Sequence, residues 1–312
     1  MHASLLSKLS RVIALALICT VLAALTPNFL TLSNLINVLR QASLLAIIAI
    51  GMTMTMLIKG IDLSVGSVLA LTSCLSAGML VAGSSVAEML MGVTGALALG
   101  ALLGCLNGIA VTTLKLHGFL VTFGMMQIAR GLAYLYMQGT VISGFRSEFS
   151  FLGGGSVLGV PTPIVIAAVV VLVTHFLLTH TTFGRSVYGF GANESAARYS
   201  GLHLARTTIL GYAFSGMTAA LAGLLYIARL DTAEAQIGEQ FALQAIGAAA
   251  IGGISFDGGV GSALGTVVGA LIMAVLANGM NLLNVSSLWH TFVTGAAIVL
   301  AAIIDRWITT KS

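Results

Sequence analysis

The side chains that could perform chemistry in this chain are few and far apart. A phosphate-binding loop needs Gly-Lys followed by Ser or Thr, and the sequence contains no Gly-Lys dipeptide. The closest two of the 6 histidines, His175 and His180, are five positions apart and do not share a helix face. Ser, His and acidic residues do not gather at one membrane depth. We therefore predict no catalytic residues, no metal site and no ATP-binding site on this chain.

One polar segment has the sequence pattern of a short surface helix. Residues 181–208 form the longest conspicuously polar stretch. Within it, Asn193 can cap a short helix, Glu194 favours the first turn, and Arg198 stands at i+4 from Glu194. The pattern predicts a short amphipathic helix at the cytoplasmic surface, with an ordinary solvated loop as the alternative.

A second set of residues is a candidate lining for a solute pathway. Four residues follow the spacing i, i+4, i+7, i+11 and share one helix face. They are Phe123, Gln127, Arg130 and Tyr134. Aromatic rings stack on the apolar face of a sugar, while amide and guanidinium groups donate to its hydroxyls. The alternative is that Arg130, about 7 residues from the outer helix end, reaches the lipid headgroups instead.

Asn278 and Asn281 are a smaller candidate for the same pathway. They lie one helical turn apart, near the outer end of a predicted helix. Their amides could bind a polar solute there. The alternative is hydrogen bonding to a neighbouring helix.

The composition shows what kind of protein must position these residues. Of 312 residues, 58% are apolar and 22 carry a formal charge, 13 Lys and Arg and 9 Asp and Glu. So few charges cannot cover a water-exposed surface. Since one span takes about 20 apolar residues, the chain has no room for a sizeable soluble domain. We predict one transmembrane domain, residues 1–312, embedded in membrane lipid, with no enzyme domain, ATPase domain or nucleic-acid-binding domain.

The gaps between charged residues divide this domain into helices. A charge at the centre of a lipid-exposed helix costs about 2.5–3.5 kcal/mol on insertion scales. Because the apolar runs are continuous rather than alternating, an all-α bundle is predicted instead of a barrel. The predicted helices, about ten in number, are 12–26, 43–58, 64–82, 89–112, 119–137, 164–180, 207–228, 241–253, 263–281 and 288–304.

Lys and Arg are distributed unevenly between the two sides of this bundle. If the N-terminus is inside, the inner loops and tails contain nine of them, whereas the outer ones contain three, Arg40, Arg146 and Arg229. Positive residues favour the inside. Both termini are therefore predicted to be cytoplasmic.

Two similar strings mark the starts of glycine-rich helices. They are Asp62-Leu-Ser-Val-Gly-Ser67 and Asp257-Gly-Gly-Val-Gly-Ser262. Acidic and small residues ahead of a helix suit its unpaired N–H groups. The residues predicted to form these two helix starts are Asp62, Ser64, Gly66, Asp257, Gly259 and Gly261.

The acidic residues limit how transport could be driven. Proton or sodium coupling usually places Asp or Glu within a span, and all 9 acids fall at predicted span ends or in loops. This pattern favours a passive conduit energised by another protein. The alternative is a self-contained secondary carrier or facilitator for a polar solute.

Three strings carry a resemblance to a known family. They are GMTMTMLIKGIDLSVGSVLALTS at 51–73, GRSVYGFGANESAARYSGL at 184–202 and AIGGISFDGGVGSALGTVVGALI at 250–272. Together they resemble the permease subunit of bacterial ABC sugar importers of the ribose type, which includes permeases for xylose, galactose, galactofuranose and the autoinducer-2 signal. The similarity extends over nearly the whole chain.

The resemblance implies a location and a set of partners. In that family two permease copies, identical or related, form a pore in the bacterial inner membrane. Two cytoplasmic ATPase subunits, which bind ATP and Mg, drive the pore, and a periplasmic sugar-binding protein delivers the solute. Carried over by position, the resemblance assigns ATPase coupling to Arg185, Asn193, Glu194, Ala197, Arg198 and Gly201.

The chain departs from the family at one place. Ribose-type permeases tend to read Glu-Leu-Asp-Ala-Ile where this chain has Ala242-Leu243-Gln244-Ala245-Ile246. The resemblance therefore implies a monosaccharide or similar small polyol as the solute and does not identify a particular sugar.

Overall fold

The computed structural model describes residues 2–309, with side chains described for 10–286, 288–300 and 302–303. The helices of this part are α1 (His2–Leu25), α2 (Leu32–Leu57), α3 (Val65–Ala77), α4 (Val86–Thr113), α5 (Gly118–Met137), α6 (Ser147–Gly154), α7 (Thr162–His180), α8 (Thr182–Ala192), α9 (Glu194–Tyr199), α10 (Leu204–Leu230), α11 (Phe241–Ile251), α12 (Ala263–Leu282) and α13 (Ser287–Thr309). Two short antiparallel pairs join β1 (Ile142–Ser143) to β4 (Thr232–Ala233) and β2 (Ser156–Val157) to β3 (Val160–Pro161).

Each of the predicted helical segments overlaps a helix of the structure, but α2 differs most in its bounds. It begins at Leu32 rather than at 43, so Arg40 lies inside a helix and not in a loop. The physical reason is a cap, because the Thr31 hydroxyl accepts a hydrogen bond from the Asn34 N–H. The short helix α6 was not predicted.

Among the described residues, six helices are long and apolar enough to cross a membrane by length and composition. They are α2, α4, α5, α7, α10 and α12. Shorter apolar helices cover Ser10–Leu25, Val65–Ala77, Phe241–Ile251 and Leu288–Leu300. The prediction of an all-α membrane protein is confirmed.

The centre of the bundle is α2. Every residue of this helix from Ala42 to Leu57 is buried, and it packs against α7, α10, α11 and α12. A helix that is apolar on all faces belongs in such an interior position.

Glycines bring α4 and α10 into main-chain contact beside α2. A side chain at Gly100 would collide with the backbone of Gly216, and one at Gly104 with the backbone of Tyr212. A side chain at Gly51 of α2 would meet the Thr218 hydroxyl first and then the Ser215 backbone of α10, at 3.0 Å. Small residues permit this approach in a membrane, where packing rather than the hydrophobic effect joins helices.

Two helices, α3 and α11, are too short to cross the membrane alone. With 13 and 11 residues, they extend about 20 and 17 Å at 1.5 Å per residue. Gly66, in the first turn of α3, lies against the backbone of Gly238, which shortly precedes α11. The N-terminal ends of the two half-length helices therefore meet inside the bundle.

Candidate translocation pathway and coupling segment

Arg130 of α5 holds this junction together. Its guanidinium donates to the carbonyl oxygens of Ala235, of Ile237 at 2.9 Å and, more weakly, of Gly66 at 3.4 Å. The side chain thus joins α5, α3 and the irregular segment 231–240. Main chain at membrane depth needs such partners, because lipid supplies none.

In the structure, the four residues predicted to line one face of α5 do not all have the same surroundings. Gln127 is exposed, and Phe123 and Tyr134 are 45% and 42% exposed. Arg130, by contrast, is engaged with backbone carbonyls. The Tyr134 hydroxyl lies 3.4 Å from Glu239 Oε1, so this face of α5 continues onto segment 231–240.

Segment 231–240 presents a row of exposed polar side chains that sequence reasoning missed. They are Glu234, Gln236, Glu239 and Gln240. The segment contacts Arg130, which lies about 10 Å from the outer end of α5 at 1.5 Å per residue. Carboxylates and amides at this depth need water or protein beside them. The sequence does contain a signal for this row, because a run of polar residues separates two apolar helices at 231–240.

Asn278 and Asn281 have different surroundings. Asn278 is 3% exposed and exchanges two hydrogen bonds with Asn34, at 3.0 and 2.8 Å. This amide pair joins α12 to the start of α2. Asn281 is exposed, so only this second amide is available to a solute in the observed conformation.

Asp62 lies at the centre of a buried polar cluster. Its carboxylate accepts hydrogen bonds from the Ser64 N–H at 3.0 Å, the Ser64 hydroxyl at 2.6 Å and the Ser215 hydroxyl at 2.8 Å. Asn107 of α4 in turn donates to Ser64 Oγ at 3.0 Å. Asp62 belongs to a loop, as predicted, but it is 0% exposed and level with the middle of α10. The cluster joins the α2–α3 loop to α4 and α10.

The second predicted helix start is built differently. Asp257 is exposed, and α12 is capped by Ser262, whose hydroxyl accepts from the Gly265 N–H. Gly259 and Gly261 have φ angles of 71° and 137°, which other residues rarely adopt, and the Gly259 N–H donates to the Leu57 carbonyl at 2.9 Å. Asp257 therefore does not cap α12, although the two strings look alike.

The segment 181–208 contains the predicted short helix. In α9 the Asn193 side chain accepts from the Ala196 N–H, and Glu194 pairs with Arg198 at 3.0 Å. Ala197 faces inward, 5% exposed, while Tyr199 is 91% exposed. The chain leaves α9 through Gly201 at a φ of 78°. Arg185 is exposed on α8. The local structure predicted from these residues is confirmed.

The helix α8 connects this segment to the bundle. Gly191 packs against the Leu57 carbonyl and against Gly259, without room for a side chain. The Tyr188 hydroxyl donates to the Gly261 carbonyl at 2.9 Å, and burial raises the pKa of this tyrosine above its ordinary value. A force on α8 and α9 would therefore reach the C-terminal end of α2 and the start of α12.

A partly exposed ion pair lies at the start of α6, near the opposite end of α10 from α9. Arg146 donates to Glu148 at 2.9 Å, and this hydrogen bond is the main reason that the pKa of Glu148 is lowered to about 2. Among the residues whose side chains are described, no group of three or more His, Cys, Asp or Glu could hold a metal ion.

Known proteins with similar sequences give this geometry a context. A family model described as a branched-chain amino acid transport system permease component matches residues 34–302. The ribose import permease protein RbsC of Escherichia coli (strain K12) is 42% identical, over 94% of this chain and 92% of its own. RbsC of Bacillus subtilis (strain 168) is 39% identical, over 96% and 93%. The D-allose permease AlsC of E. coli (strain K12) is 36% identical, over 95% and 90%. No solved structure matches the chain.

The chain belongs to this family of permease components. The resemblance found in the three strings is thereby confirmed. The protein is a transport subunit rather than an enzyme, and it is a multi-pass protein of the inner membrane. A permease of an ABC importer works with a separate ATPase and a substrate-binding protein.

Proposed function

We propose that this chain forms the translocation pathway for a monosaccharide or similar small polyol in an ATP-driven importer. The observation that carries this proposal is the α8–α9 segment, an exposed, capped helix fixed to the bundle through Gly191 and Tyr188. Relatives named for ribose and allose import support the sugar class. In this proposal ATP and Mg bind to the partner ATPase and not to this chain.

The proposed topology has about ten crossings with both termini in the cytoplasm. Six of them are the helices already long enough to span, and the shorter apolar helices supply the others. The half-length helices α3 and α11 enter from opposite sides and meet at Gly66 and Gly238. Residues 1–312 then form one transmembrane domain, with 181–208 as its cytoplasmic coupling segment.

The proposed pathway follows the exposed faces of α5 and segment 231–240. Its lining includes Phe123, Gln127 and Tyr134, with Asn281 near the outer mouth, whereas Arg130 and Asn278 position the backbone and a neighbouring helix. Discontinuous helices mark substrate sites in other transporters. A second permease copy, identical or related, closes the open side of this polar surface.

Transport in this proposal occurs by alternating access. The loaded binding protein docks outside, and closure of the ATPase pushes on α9. The movement passes through α8 to the end of α2 and the start of α12, which α8 contacts directly. The bundle then opens inward and releases the solute.

The coupling assignment is tested by changing the exposed face of α9. Glu194→Ala with Arg198→Ala removes the ion pair, and we expect about a tenfold loss of uptake and of transport-linked ATPase, since a single well-made interface anchor contributes 1–2 kcal/mol or more. Ser195→Ala on the same helix is the matched control. Unchanged uptake and ATPase activity in the double variant would remove the coupling role.

The function itself is tested by reconstitution in liposomes. The chain alone is expected not to accumulate ribose, xylose or allose, whereas the chain with its ATPase, its binding protein and ATP is expected to do so. Accumulation by the chain alone, driven by an ion gradient, would instead establish a secondary carrier.

A further inference from the structure

A cavity of about 330 Å³ lies between α2, α10, α11, α12 and α13. Most of its lining is aliphatic, including Leu45, Met273 and Leu276. Arg229 and Gln244 are among its few polar residues. Its volume is typical of a small-molecule site. Its mostly aliphatic lining, however, suits an apolar group such as an acyl chain.

Two arginines without an acidic partner among the described residues lie at or near this cavity. Arg229 lines it, and its guanidinium donates to Asn37 Oδ1 at 2.7 Å. Arg40 follows Asn37 by about one turn of α2 and is the charged neighbour of Arg229. Within the part of the chain whose side chains are described, the ion pairs involve Arg146 and Arg198 and neither of these two.

Arg40 also leaves a donor unused. Its Nε is buried and makes no hydrogen bond to any described residue. Two like charges in partly buried positions repel, and a buried N–H without a partner costs free energy. An anion bound between the two guanidinium groups would offset both costs, whereas a neutral sugar would offset neither charge.

A shallow groove along one face of α2 borders Arg40. Asn37 connects the two spaces, because it lines the groove and also accepts the hydrogen bond from Arg229 in the cavity. The residues that line the groove are Leu32, Ser33, Ile36, Asn37 and Arg40. Positive charge therefore stands between a surface groove and an apolar cavity within the helical bundle.

We propose that this is a binding site for an anionic phospholipid. The phosphodiester group binds Arg40 and Arg229, and part of an acyl chain occupies the cavity. Basic pockets between transmembrane helices bind anionic headgroups at the cytoplasmic side, and Arg40 with Arg229 would form such a pocket at the proposed outer side. A phospholipid fits because its charged headgroup is joined to an apolar chain, as the arginines here lie beside an aliphatic cavity. A free phosphate would leave that cavity empty. The site does not depend on which solute the protein carries.

The test measures lipid retention by the purified full chain with native mass spectrometry. The probes are phosphatidylglycerol and phosphatidylcholine with the same acyl chains. We expect preferential retention of phosphatidylglycerol, reduced about fivefold by Arg40→Gln and about 30-fold when Arg229→Gln is added. Since the Arg40 Nε makes no hydrogen bond to the described residues, Arg40→Gln is expected to fold, which a monodisperse elution profile checks.

Two further variants separate charge from cavity. Arg146→Gln removes an arginine that is already paired with Glu148, and phosphatidylglycerol retention is expected to stay unchanged. Ala297→Phe fills the cavity that Ala297 lines and is expected to weaken phosphatidylglycerol binding without changing the affinity for inorganic phosphate.

Three results would overturn the proposal. One is equal retention of the two lipids by the unaltered chain, and another is unchanged retention of phosphatidylglycerol by the double variant. The third is inorganic phosphate binding as tightly as phosphatidylglycerol, which would indicate a free-anion site. If the double variant lost stimulation by the binding protein while keeping the lipid, the arginines would serve that protein instead.

Discussion

Arg130 and Asp62 place ionisable groups where lipid cannot stabilise them, and each is surrounded by hydrogen-bond partners. Arg130 meets carbonyl oxygens, and Asp62 meets hydroxyl and amide donors. Charged groups inside a membrane protein are costly unless paired in this manner. Both residues thus fix the irregular main chain at the ends of half-length helices.

The first prediction concerns the forked geometry of Arg130. Arg130→Lys keeps the charge but cannot donate to several carbonyls at once from a planar fork. We expect uptake to fall about tenfold in Arg130→Lys and further in Arg130→Gln, because each charged hydrogen bond contributes about 1.5–3 kcal/mol. Uptake at the unaltered rate in Arg130→Gln would show that segment 231–240 holds its position without this side chain.

The second prediction compares two aspartates in similar strings. Asp62→Asn disrupts a buried cluster and is expected to destabilise the protein by about 1–3 kcal/mol, whereas Asp257→Asn changes an exposed side chain and is expected to cost less than about 0.5 kcal/mol. The thermal midpoints of the purified variants in one detergent measure the difference. Equal midpoints would contradict the structural distinction.

Sequence reasoning could not distinguish these two aspartates. It identified both strings as helix starts, but burial of Asp62 is determined by Asn107 and Ser215, which lie far away in the chain. Among the described residues, none donates a hydrogen bond to the carboxylate of Asp257. Local patterns predict caps, whereas tertiary contacts decide which cap becomes a buried cluster.

At the scale of elements, apolar length predicted most helices but not their depth. The bounds of α5 and α12 were predicted to within a residue or two, because both are continuous apolar runs between polar turns. α2 was shortened in the prediction because its first ten residues include Asn34, Asn37, Arg40 and Gln41. Those polar side chains lie at the proposed outer end, where Asn37 accepts a hydrogen bond from α10 and Asn34 exchanges hydrogen bonds with α12.

The third prediction tests the contact between α4 and α10. Gly104→Ala places a methyl group against the Tyr212 backbone and is expected to lower the thermal midpoint clearly, since main-chain atoms cannot move aside cheaply. Gly95→Ala on the same helix meets open space, so alanine's better helix propensity is expected to leave stability unchanged or slightly higher. If both variants melted alike, close packing at Gly104 would not matter.

At the scale of the whole molecule, the exposed polar row on segment 231–240 requires water or a second protein beside it. Neither the row nor its depth followed from the predicted helices, because the segment was treated as an ordinary outer loop. Its position is determined by Arg130 and by the pairing of β4 with β1. Both contacts join parts of the chain about 90 or more residues apart, beyond the reach of periodicity.

The fourth prediction measures whether water reaches this row. In a chain with Cys19, Cys74 and Cys105 replaced by Ser, Glu239→Cys is expected to react with a membrane-impermeant maleimide. Val169→Cys, at an exposed apolar position on α7, is the control and is expected to stay unlabelled within the lipid. A Glu239→Cys variant that resists labelling in every transport state would contradict an aqueous pathway along this segment.

The main-chain contacts among α2, α4 and α10 restrict how the protein moves during transport. Helices joined by long side chains shear past one another as those side chains change rotamer. Bare backbones lack that freedom, and sliding would have to continue for about one helical turn, roughly 5.4 Å, before small residues faced each other again. We therefore expect these three helices to move together as one rigid unit during transport.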